Sequence, residues 1–346
     1  MSALSAVELT SLTPTDISAV PTEVVERIRS ARVVLTVCHE NPEADALGSA
    51  LAVALAVEEL GGRATPLCAD LVPQMYDFMP GIDRFHQDPD PALDYDLIVV
   101  GDCGDLERIG PVLGRNAELF ARVPIVNIDH HISNTGFGAV DWIDATAAAT
   151  CEMDTLLMPA LGVPLTAADG AIAAALIAGV VIDTANFQHP NVTPRTLRVA
   201  AELVSVGAPL AQTARLLYRT KPNRQLKLFG LVLGRFEQDL DGRLVWASLY
   251  EGDYGATGAT AQDAEGLSDL LSQSAEGALV IMFRQTGDKT KISVRTRDGG
   301  HDATVITGAF GGGGHARAAG ATIDLPIDRA MPAVLSAARR MIASSD

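Results

Sequence analysis

The stretch Ile125-Val126-Asn127-Ile128-Asp129-His130-His131 decides how this chain is interpreted. Its first four residues are mostly apolar, as is typical of a parallel strand that is covered on both faces. The carboxyl ends of parallel strands open onto one crevice of an open sheet. Two adjacent histidines after an aspartate rarely serve packing, so we expect Asp129, His130 and His131 to lie at a functional edge.

Acidic and histidine side chains also follow other apolar runs. His39, Glu43 and Asp45 lie in a loop after such a run, while Asp102 and Asp183 each follow another. We expect these clusters to fall at matching strand ends. Each of these segments, taken singly, is also compatible with a polar strand end or a helix cap. A histidine with two carboxylates, however, suits a divalent ion such as Mn²⁺. Two ions ~3.5–4 Å apart can clamp a phosphoryl displacement. The metal-ligand candidates are His39, Glu43, Asp45, Asp102, His130 and Asp183.

Strand patterns that alternate with helical patterns predict an α/β fold with a doubly wound, mainly parallel sheet. The pattern changes after Gly207-Ala208-Pro209. We expect a first domain over 1–207, a connection over 208–225 and a smaller mixed α/β domain over 226–346. Predicted helices cover 22–30, 44–60, 147–161, 167–180, 194–206, 210–218, 224–236, 265–272 and 302–310. Predicted strands cover 32–38, 65–68, 97–100, 125–128, 140–143, 244–250, 278–284, 291–297 and 321–325.

The charge balance limits the range of partners. With 26 Lys and Arg against 43 Asp and Glu, the net charge is −17. Long nucleic acid is held by many cationic contacts, so this composition disfavours it. A metal ion and a few arginines can still accommodate a short nucleotide.

Segments at the start and middle of the chain favour a cytoplasmic location. Met1 to Val20 lacks the features of a signal peptide. The longest apolar run, Ala171 to Ile182, is shorter than the roughly 20 residues of a membrane span. Four widely spaced cysteines favour free buried thiols in a reducing cytoplasm. These are Cys38, Cys68, Cys103 and Cys151.

A glycine-rich segment follows in the second half, Gly311 to Gly320, with His315 and Arg317 within it. Successive glycines can present backbone N–H groups to an anion, although a flexible linker has the same composition. Arg295 just upstream is a second candidate for phosphate contact, or simply a solvated strand charge. Arg108 is a cation that can meet either Asp105 or a phosphate.

Together these segments resemble the DHH-family phosphoesterases that carry a C-terminal DHH-associated domain with a Gly-Gly-Gly-His motif. The resemblance covers roughly residues 30 to 325, in the family's order. Within that family, the chain looks most like the bacterial phosphodiesterases of short oligonucleotides, many of which also dephosphorylate 3′-phosphoadenosine-5′-phosphate.

The resemblance implies a role for each motif. One Mn²⁺ would be held by His39, Glu43 and Asp102. The other, with Asp102 bridging, would be held by Asp45, Asp102, His130 and Asp183. Mg²⁺ is the alternative ion. His131 would act on the scissile phosphate beside the catalytic Asp102. Substrate-binding positions would be Arg108, Asn134, Arg295, Gly313, Gly314 and His315.

Two positions depart from the family pattern. Glu43 stands where aspartate is usual, one methylene longer, which puts the first metal in question. Ala185 stands where glycine is usual, so its methyl group leaves less room for another group to approach the backbone after Asp183.

The expected activity is hydrolysis of short RNA or DNA oligonucleotides, including linear dinucleotides, to mononucleotides. A cyclic-dinucleotide phosphodiesterase, a RecJ-like exonuclease and a nucleotide-sensing protein with a degenerate metal site stay open as alternatives. The expected partners are short oligonucleotides and nucleotides, with neither membrane nor long duplex nucleic acid. A homodimer is expected from the family.

Overall fold

The computed structural model describes Leu12, residues 19–297 and residues 300–344. Most of Met1 to Val20, for which the sequence predicts no signal peptide, lies outside these residues. The chain forms two compact units, of which the first ends at Thr220 and the second begins at Lys221. This division falls inside the predicted connection 208–225, most of which is helical.

The first unit contains a five-stranded sheet in which every neighbouring pair is parallel. The spatial order is β2-β1-β3-β4-β5, so the chain starts in the interior of the sheet and winds outward in both directions. This confirms the predicted doubly wound α/β fold. The strands are β1 (Val33–Val37), β2 (Arg63–Leu67), β3 (Leu97–Gly101), β4 (Ile125–Asp129) and β5 (Val140–Ile143).

Helices cover both faces of this sheet. Val34 faces one buried cluster while Leu35 and Val37 face another, as the alternation of side chains along a strand requires. The helices are α1 (Thr22–Ser30), α2 (Ala44–Glu59), α3 (Pro111–Arg115), α4 (Ala117–Arg122), α5 (Thr150–Leu161), α6 (Ala171–Asp183), α7 (Pro194–Ser205) and α8 (Leu210–Arg219).

Small residues allow α2 and α6 to pack closely. Almost every residue of both helices is buried, as expected for helices that are apolar all round. A Cβ atom on Gly48 would lie 2.6 Å from the Ala175 carbonyl oxygen. The close packing brings Asp45, at the start of α2, near Asp183, at the end of α6.

The boundaries of α6 differ from the sequence prediction. Asp169 and Gly170 have left-handed backbone angles, with φ of 53° and 83°, so the regular helix starts at Ala171 and not at Ala167. It continues to Asp183, which therefore ends a helix. Our expectation that Asp183 lies at a strand end like the other clusters is wrong.

The second unit contains a six-stranded mixed sheet in the order β10-β11-β9-β8-β7-β6, in which only β7 and β8 are parallel. Its strands are β6 (Glu237–Asp239), β7 (Leu244–Leu249), β8 (Leu279–Thr286), β9 (Lys289–Thr296), β10 (Gly313–His315) and β11 (Ala318–Ile323). Its helices are α9 (Asn223–Leu233), α10 (Glu251–Thr257), α11 (Leu267–Leu271), α12 (Ala303–Gly308) and α13 (Ile327–Ala343).

Two of these helices are absent from the sequence prediction. The segment that forms α10 reads as a glycine-rich loop, because glycine disfavours helix. Asp253 stabilises its first turn by accepting a hydrogen bond from the Tyr250 amide and pairing with Arg235. The long helix α13 buries Val334 and Ala338 against the second sheet, and its buried residues follow the helical repeat.

No helix in the described part of the chain combines the length and the apolar character that a membrane span requires. The four cysteines are unpaired and buried, as predicted.

Candidate metal centre

Three buried or half-buried carboxylates come from three different elements of the first unit. Asp45 lies in the first turn of α2, Asp102 directly follows β3, and Asp183 ends α6. Asp102 has a φ of 56°, a left-handed conformation that aspartate tolerates better than most residues. The Asp102 amide donates to the Ile128 carbonyl oxygen of the neighbouring strand at 3.0 Å, which fixes the turn.

Two histidines at strand ends have the same orientation. Nδ1 of His39 lies 2.6 Å from the Glu40 carbonyl oxygen, and Nδ1 of His130 lies 3.3 Å from the Ala147 carbonyl oxygen. Because a carbonyl can only accept, both Nδ1 atoms carry the proton. Each Nε2 is therefore the nitrogen that would bind a metal in place of a proton, and a backbone carbonyl partner of this kind is usual behind metal-binding histidines.

The Nε2 atoms point towards the carboxylates. His39 Nε2 lies 3.7 Å from Asp102 Oδ2, and His130 Nε2 lies 3.4 Å from Asp102 Oδ1 and 3.2 Å from Asp183 Oδ2. Two sets of ligand atoms each lie within 4.8 Å of one another. They are Asp102, His130 and His131, and Asp45, His130 and Asp183.

The carboxylates of this cluster are buried close together, so their negative charges repel one another. Burial, followed by the charges of Asp102 and Asp183, raises the pKa of Asp45 well above its usual range. Burial and the charge of Asp102 likewise raise the pKa of Asp183. Although burial alone lowers the pKa of His130, the nearby Asp102 and Asp183 raise it to about 11.

The residues present fit a divalent cation. Nε2 of His130 is buried and lies 3.2 Å from Asp183 Oδ2 without forming a hydrogen bond of good geometry, an arrangement that a cation bound between the two groups would satisfy. Oxygen and imidazole nitrogen are suitable ligands for Mn²⁺. A bound cation would also relieve the repulsion between Asp45, Asp102 and Asp183.

Asp129 and His131 form a hydrogen-bonded pair beside this cluster. His131 Nδ1 lies 2.7 Å from Asp129 Oδ1, and Asn134 Nδ2 donates to Asp129 Oδ2 at 2.6 Å. Asp129 is fully buried, whereas the His131 side chain is about 36% exposed. The pair therefore presents the imidazole to solvent with its orientation fixed.

The side-chain amide of Asn134 is hydrogen-bonded within the protein. Its Nδ2 also donates to the Cys103 carbonyl oxygen at 3.1 Å, and its Oδ1 accepts from Asn127 and from the Gly136 amide. All of these partners belong to the protein. Asn134 therefore supports Asp129, and its predicted contact with the substrate stays a prediction.

Glu43 and Arg108 lie at the rim of the cluster. Glu43 is exposed at the N-cap of α2 and belongs to neither group of converging ligand atoms. Arg108 is exposed in a short turn, and its carbonyl oxygen accepts from the Glu40 amide at 2.8 Å. This hydrogen bond places Arg108 beside the loop that carries His39.

The second unit holds the remaining predicted residues. His315 pairs with Ala318, which in turn pairs with Arg295. Directly paired residues share one face of a sheet, and neighbouring strands lie about 4.8 Å apart. His315 and Arg295 therefore flank a small residue on one face, about 10 Å apart. The guanidinium of Arg295 is paired with Asp269, with Nε 3.2 Å from Oδ1.

The glycine run forms the edge strand β10, and its glycines have different structural requirements. A Cβ atom on Gly312 would overlap the Gly320 carbonyl oxygen, and one on Gly314 would lie 2.6 Å from Ala318 O. Around Gly313, in contrast, there is open space. The fold requires glycine at 312 and 314, whereas at 313 it does not.

Asp45 is held in place by residues for which the sequence predicts no role. The backbone amides of Thr150 and Cys151 donate to the two carboxylate oxygens of Asp45 at 2.7 and 2.9 Å. A side chain at Gly179 would overlap Asp45 and Cys151. No local sequence signal marks these contacts, because the partners lie far apart in the chain.

Comparisons with known proteins show the family of this chain. Residues 33–194 match the model of the DHH family, N-terminal domain, and residues 244–344 match that of the DHHA1 domain. The chain is 35% identical to the bifunctional oligoribonuclease and PAP phosphatase NrnA of Thermus thermophilus, over 92% of each chain. This protein therefore belongs to the DHH family of phosphoesterases.

Two further relatives extend the comparison. The NrnA of Bacillus subtilis, with the same description, is 25% identical over 87% of this chain and 93% of its own. The crystal structure of an exopolyphosphatase-related protein from Bacteroides fragilis superposes with a TM-score of 0.81 at 21% identity, covering 95% of this chain and 98% of the other. The latter shows that the fold is shared.

Proposed function

We propose that this protein hydrolyses short oligonucleotides, including linear dinucleotides, to mononucleotides with the help of two divalent ions, Mn²⁺ in the first instance. The observation that carries the proposal is the convergence of Asp45, Asp102, His130 and Asp183, which come from four separate segments. The match to two relatives described as oligoribonucleases supports the substrate class.

In this proposal His39, Asp102 and Glu43 would hold one ion. Asp45, Asp102, His130 and Asp183 would hold the other. Glu43 would have to turn inward from its exposed position. When bound, the pair of ions supplies a water of lowered pKa and neutralises charge on the phosphate.

His131 would bind the phosphate or protonate the leaving oxygen through Nε2, since its Nδ1 is occupied by Asp129. General acid assistance of this kind contributes roughly 10²- to 10⁴-fold. Arg108 would add a positive charge on the same rim. Asn134 would also hold the Asp129 carboxylate towards the imidazole.

The second unit would bind the substrate by its terminal phosphate or nucleotide. The row of His315, Ala318 and Arg295 offers two cationic or hydrogen-bonding groups around a small residue. Backbone N–H groups of Gly313 and Gly314 would contribute further donors. Arg295 would exchange its exposed partner Asp269 for phosphate, which is favourable for a guanidinium.

The net charge of −17 supports short substrates over long strands, because binding to long nucleic acid depends on many cationic contacts. The second activity that we propose is dephosphorylation of 3′-phosphoadenosine-5′-phosphate, since both relatives are described as PAP phosphatases. A cytoplasmic location and a homodimer also stay predictions.

The test is a product time course on pApA and on a strand of about twenty nucleotides, each with Mn²⁺. We expect mononucleotide release from pApA, slower turnover of the long strand, and loss of activity with a chelator. Asp183→Asn should lower the rate at least about 100-fold, because even partners behind the ligands contribute 10- to 100-fold. Asp94→Asn, which changes an exposed carboxylate paired with Arg122, is the matched control.

The outcomes separate the alternatives. Faster cleavage of the long strand would favour a RecJ-like exonuclease. Nucleotide binding without hydrolysis in a folded, Mn²⁺-saturated sample would favour a sensing protein and contradict the proposal.

A further inference from the structure

Thr150, the first residue of α5, connects two of the clustered carboxylates. Its amide donates to Asp45 Oδ2 at 2.7 Å, and its hydroxyl donates to Asp102 Oδ1 at 3.2 Å. Thr150 is fully buried. The next amide, of Cys151, occupies the other oxygen of Asp45 at 2.9 Å.

The hydroxyl contact fixes the plane of the Asp102 carboxylate. Oδ2 of Asp102 faces His39 Nε2, while Oδ1 faces His130 Nε2. Rotation about the bond to the carboxyl group would move both oxygens away from these nitrogens. A hydroxyl on Oδ1 opposes that rotation, and a β-branched residue has few rotamers within a helix.

The position of Thr150 is itself fixed from behind. Glu152, two residues further along the helix, is fully buried and accepts hydrogen bonds from the Ala148 amide at 3.1 Å and from the Thr196 hydroxyl at 2.7 Å. It also pairs with Arg195, whose Nε lies 2.5 Å away. The start of α5 is therefore held by the protein core and does not depend on the carboxylates that it contacts.

We propose that Thr150 is a positioning residue of the metal centre, which holds Asp45 and Asp102 in the mutual orientation that two cations require. This inference rests on the proposed function, because it assumes that the cluster binds divalent ions. The helix N-terminus also carries partial positive charge, which stabilises Asp45 as an anion next to Asp102. Both effects act on cation affinity before any substrate is present.

The experiment measures Mn²⁺ binding to the metal-free full chain by calorimetry, without substrate. Thr150→Val removes the hydroxyl and preserves the shape of the side chain. We expect its Mn²⁺ affinity to fall about tenfold or more, the range typical of residues behind metal ligands. Thr150→Ser keeps the hydroxyl and should restore affinity to within about threefold of the wild type.

Thr155→Val is the matched control. Thr155 lies in the same helix, is equally buried, and uses its hydroxyl to donate to the Cys151 carbonyl oxygen at 2.8 Å. The same chemical change at this position should leave Mn²⁺ affinity unchanged. Circular dichroism of each variant without metal establishes that it is folded. Should Thr150→Val not fold, Thr150→Ala must show the same loss of affinity.

The outcomes distinguish a failure of the proposed role of Thr150 from a failure of the proposed function. Wild-type affinity in folded Thr150→Val or Thr150→Ala overturns the role of Thr150 and leaves the proposed function intact. An equal loss in Thr155→Val also overturns it, because the effect would then follow from packing alone. No Mn²⁺ binding by the wild type overturns both the positioning role and the proposed function.

Discussion

The pKa of Asp154 allows a direct test of how strongly the protein interior in α5 disfavours an ionised carboxylate. This residue of α5 is fully buried, and neither carboxylate oxygen has a hydrogen-bond partner. Burial raises the pKa of Asp154 from 3.8 to about 7, despite the partly opposing effect of the nearby Ser49 hydroxyl. A difference of about three pKa units corresponds to roughly 4 kcal/mol.

The sign of the effect follows from linkage. The pKa of Asp154 is higher in the folded than in the unfolded protein, so only the unfolded form loses this proton between about pH 4 and pH 7. Stability therefore falls as the pH rises through this window. Between pH 5 and pH 8 the wild type should lose roughly 2–3 kcal/mol that Asp154→Asn, which cannot ionise, does not lose.

The assay is urea unfolding of the metal-free protein at pH 5 and pH 8. Trp142 reports on the first unit in a Trp246→Phe background, which removes the tryptophan of the second unit. Asp154→Asn should become more stable relative to the wild type at pH 8 than at pH 5. A difference between the two proteins that stays the same at both pH values would refute the reasoning. Asp94→Asn, a change at an exposed carboxylate, should show no such pH dependence.

Three further predictions follow from individual positions. Gly313→Ala should keep the thermal stability of the wild type and raise the KM for pApA, whereas Gly312→Ala should destabilise the second unit by about 1–3 kcal/mol in urea unfolding. Ala185→Gly should raise the free energy of unfolding by roughly 0.5–1 kcal/mol. Alanine adopts a φ of 46° there, which costs about 1–2 kcal/mol. Glycine removes this strain, although its greater entropy in the unfolded chain offsets part of the gain. Asp129→Asn should lower kcat about 100-fold or more with unchanged Mn²⁺ affinity in calorimetry, because His131 would lose its orienting carboxylate. Equal Tm values for Gly312→Ala and Gly313→Ala would contradict the explanation of the two glycines. A lower stability of Ala185→Gly would contradict the strain at this position. Weaker Mn²⁺ binding by Asp129→Asn would contradict the orienting role of Asp129.

The sequence predicts those parts of the first unit that depend on local pattern. Continuous apolar runs mark the strands, and polar residues directly after them mark the carboxyl edge of the sheet. His39, Asp102 and His130 could be assigned to one site because parallel strands end on the same side. Asp183 was the exception, since an apolar run alone does not distinguish a buried helix from a buried strand.

Contacts between distant segments could not be predicted in this way. Thr150 lies 105 residues from Asp45, and their contact arises only when α2 and α5 pack side by side. The hydrogen bonds of Asn134 could not be predicted for a related reason. They form only in the folded loop, which uses both atoms of its amide to hold Asp129 and Asn127.

The second unit shows the limits of glycine as a signal. The run from Gly311 indicated a loop, yet Gly313–His315 forms an edge strand. Gly312 and Gly314 are required because the β11 backbone lies too close for a side chain. Sequence alone does not separate these packing glycines from one that leaves room for a ligand.

The most direct test of the central claim is an anomalous scattering map of a crystal of this protein with Mn²⁺. We expect manganese within coordination distance of His130 Nε2, with Asp45, Asp102 and Asp183 among its ligands, and a second ion beside His39 and Asp102. A map in which manganese binds elsewhere, or in which these side chains bind none at saturating concentration, would contradict it.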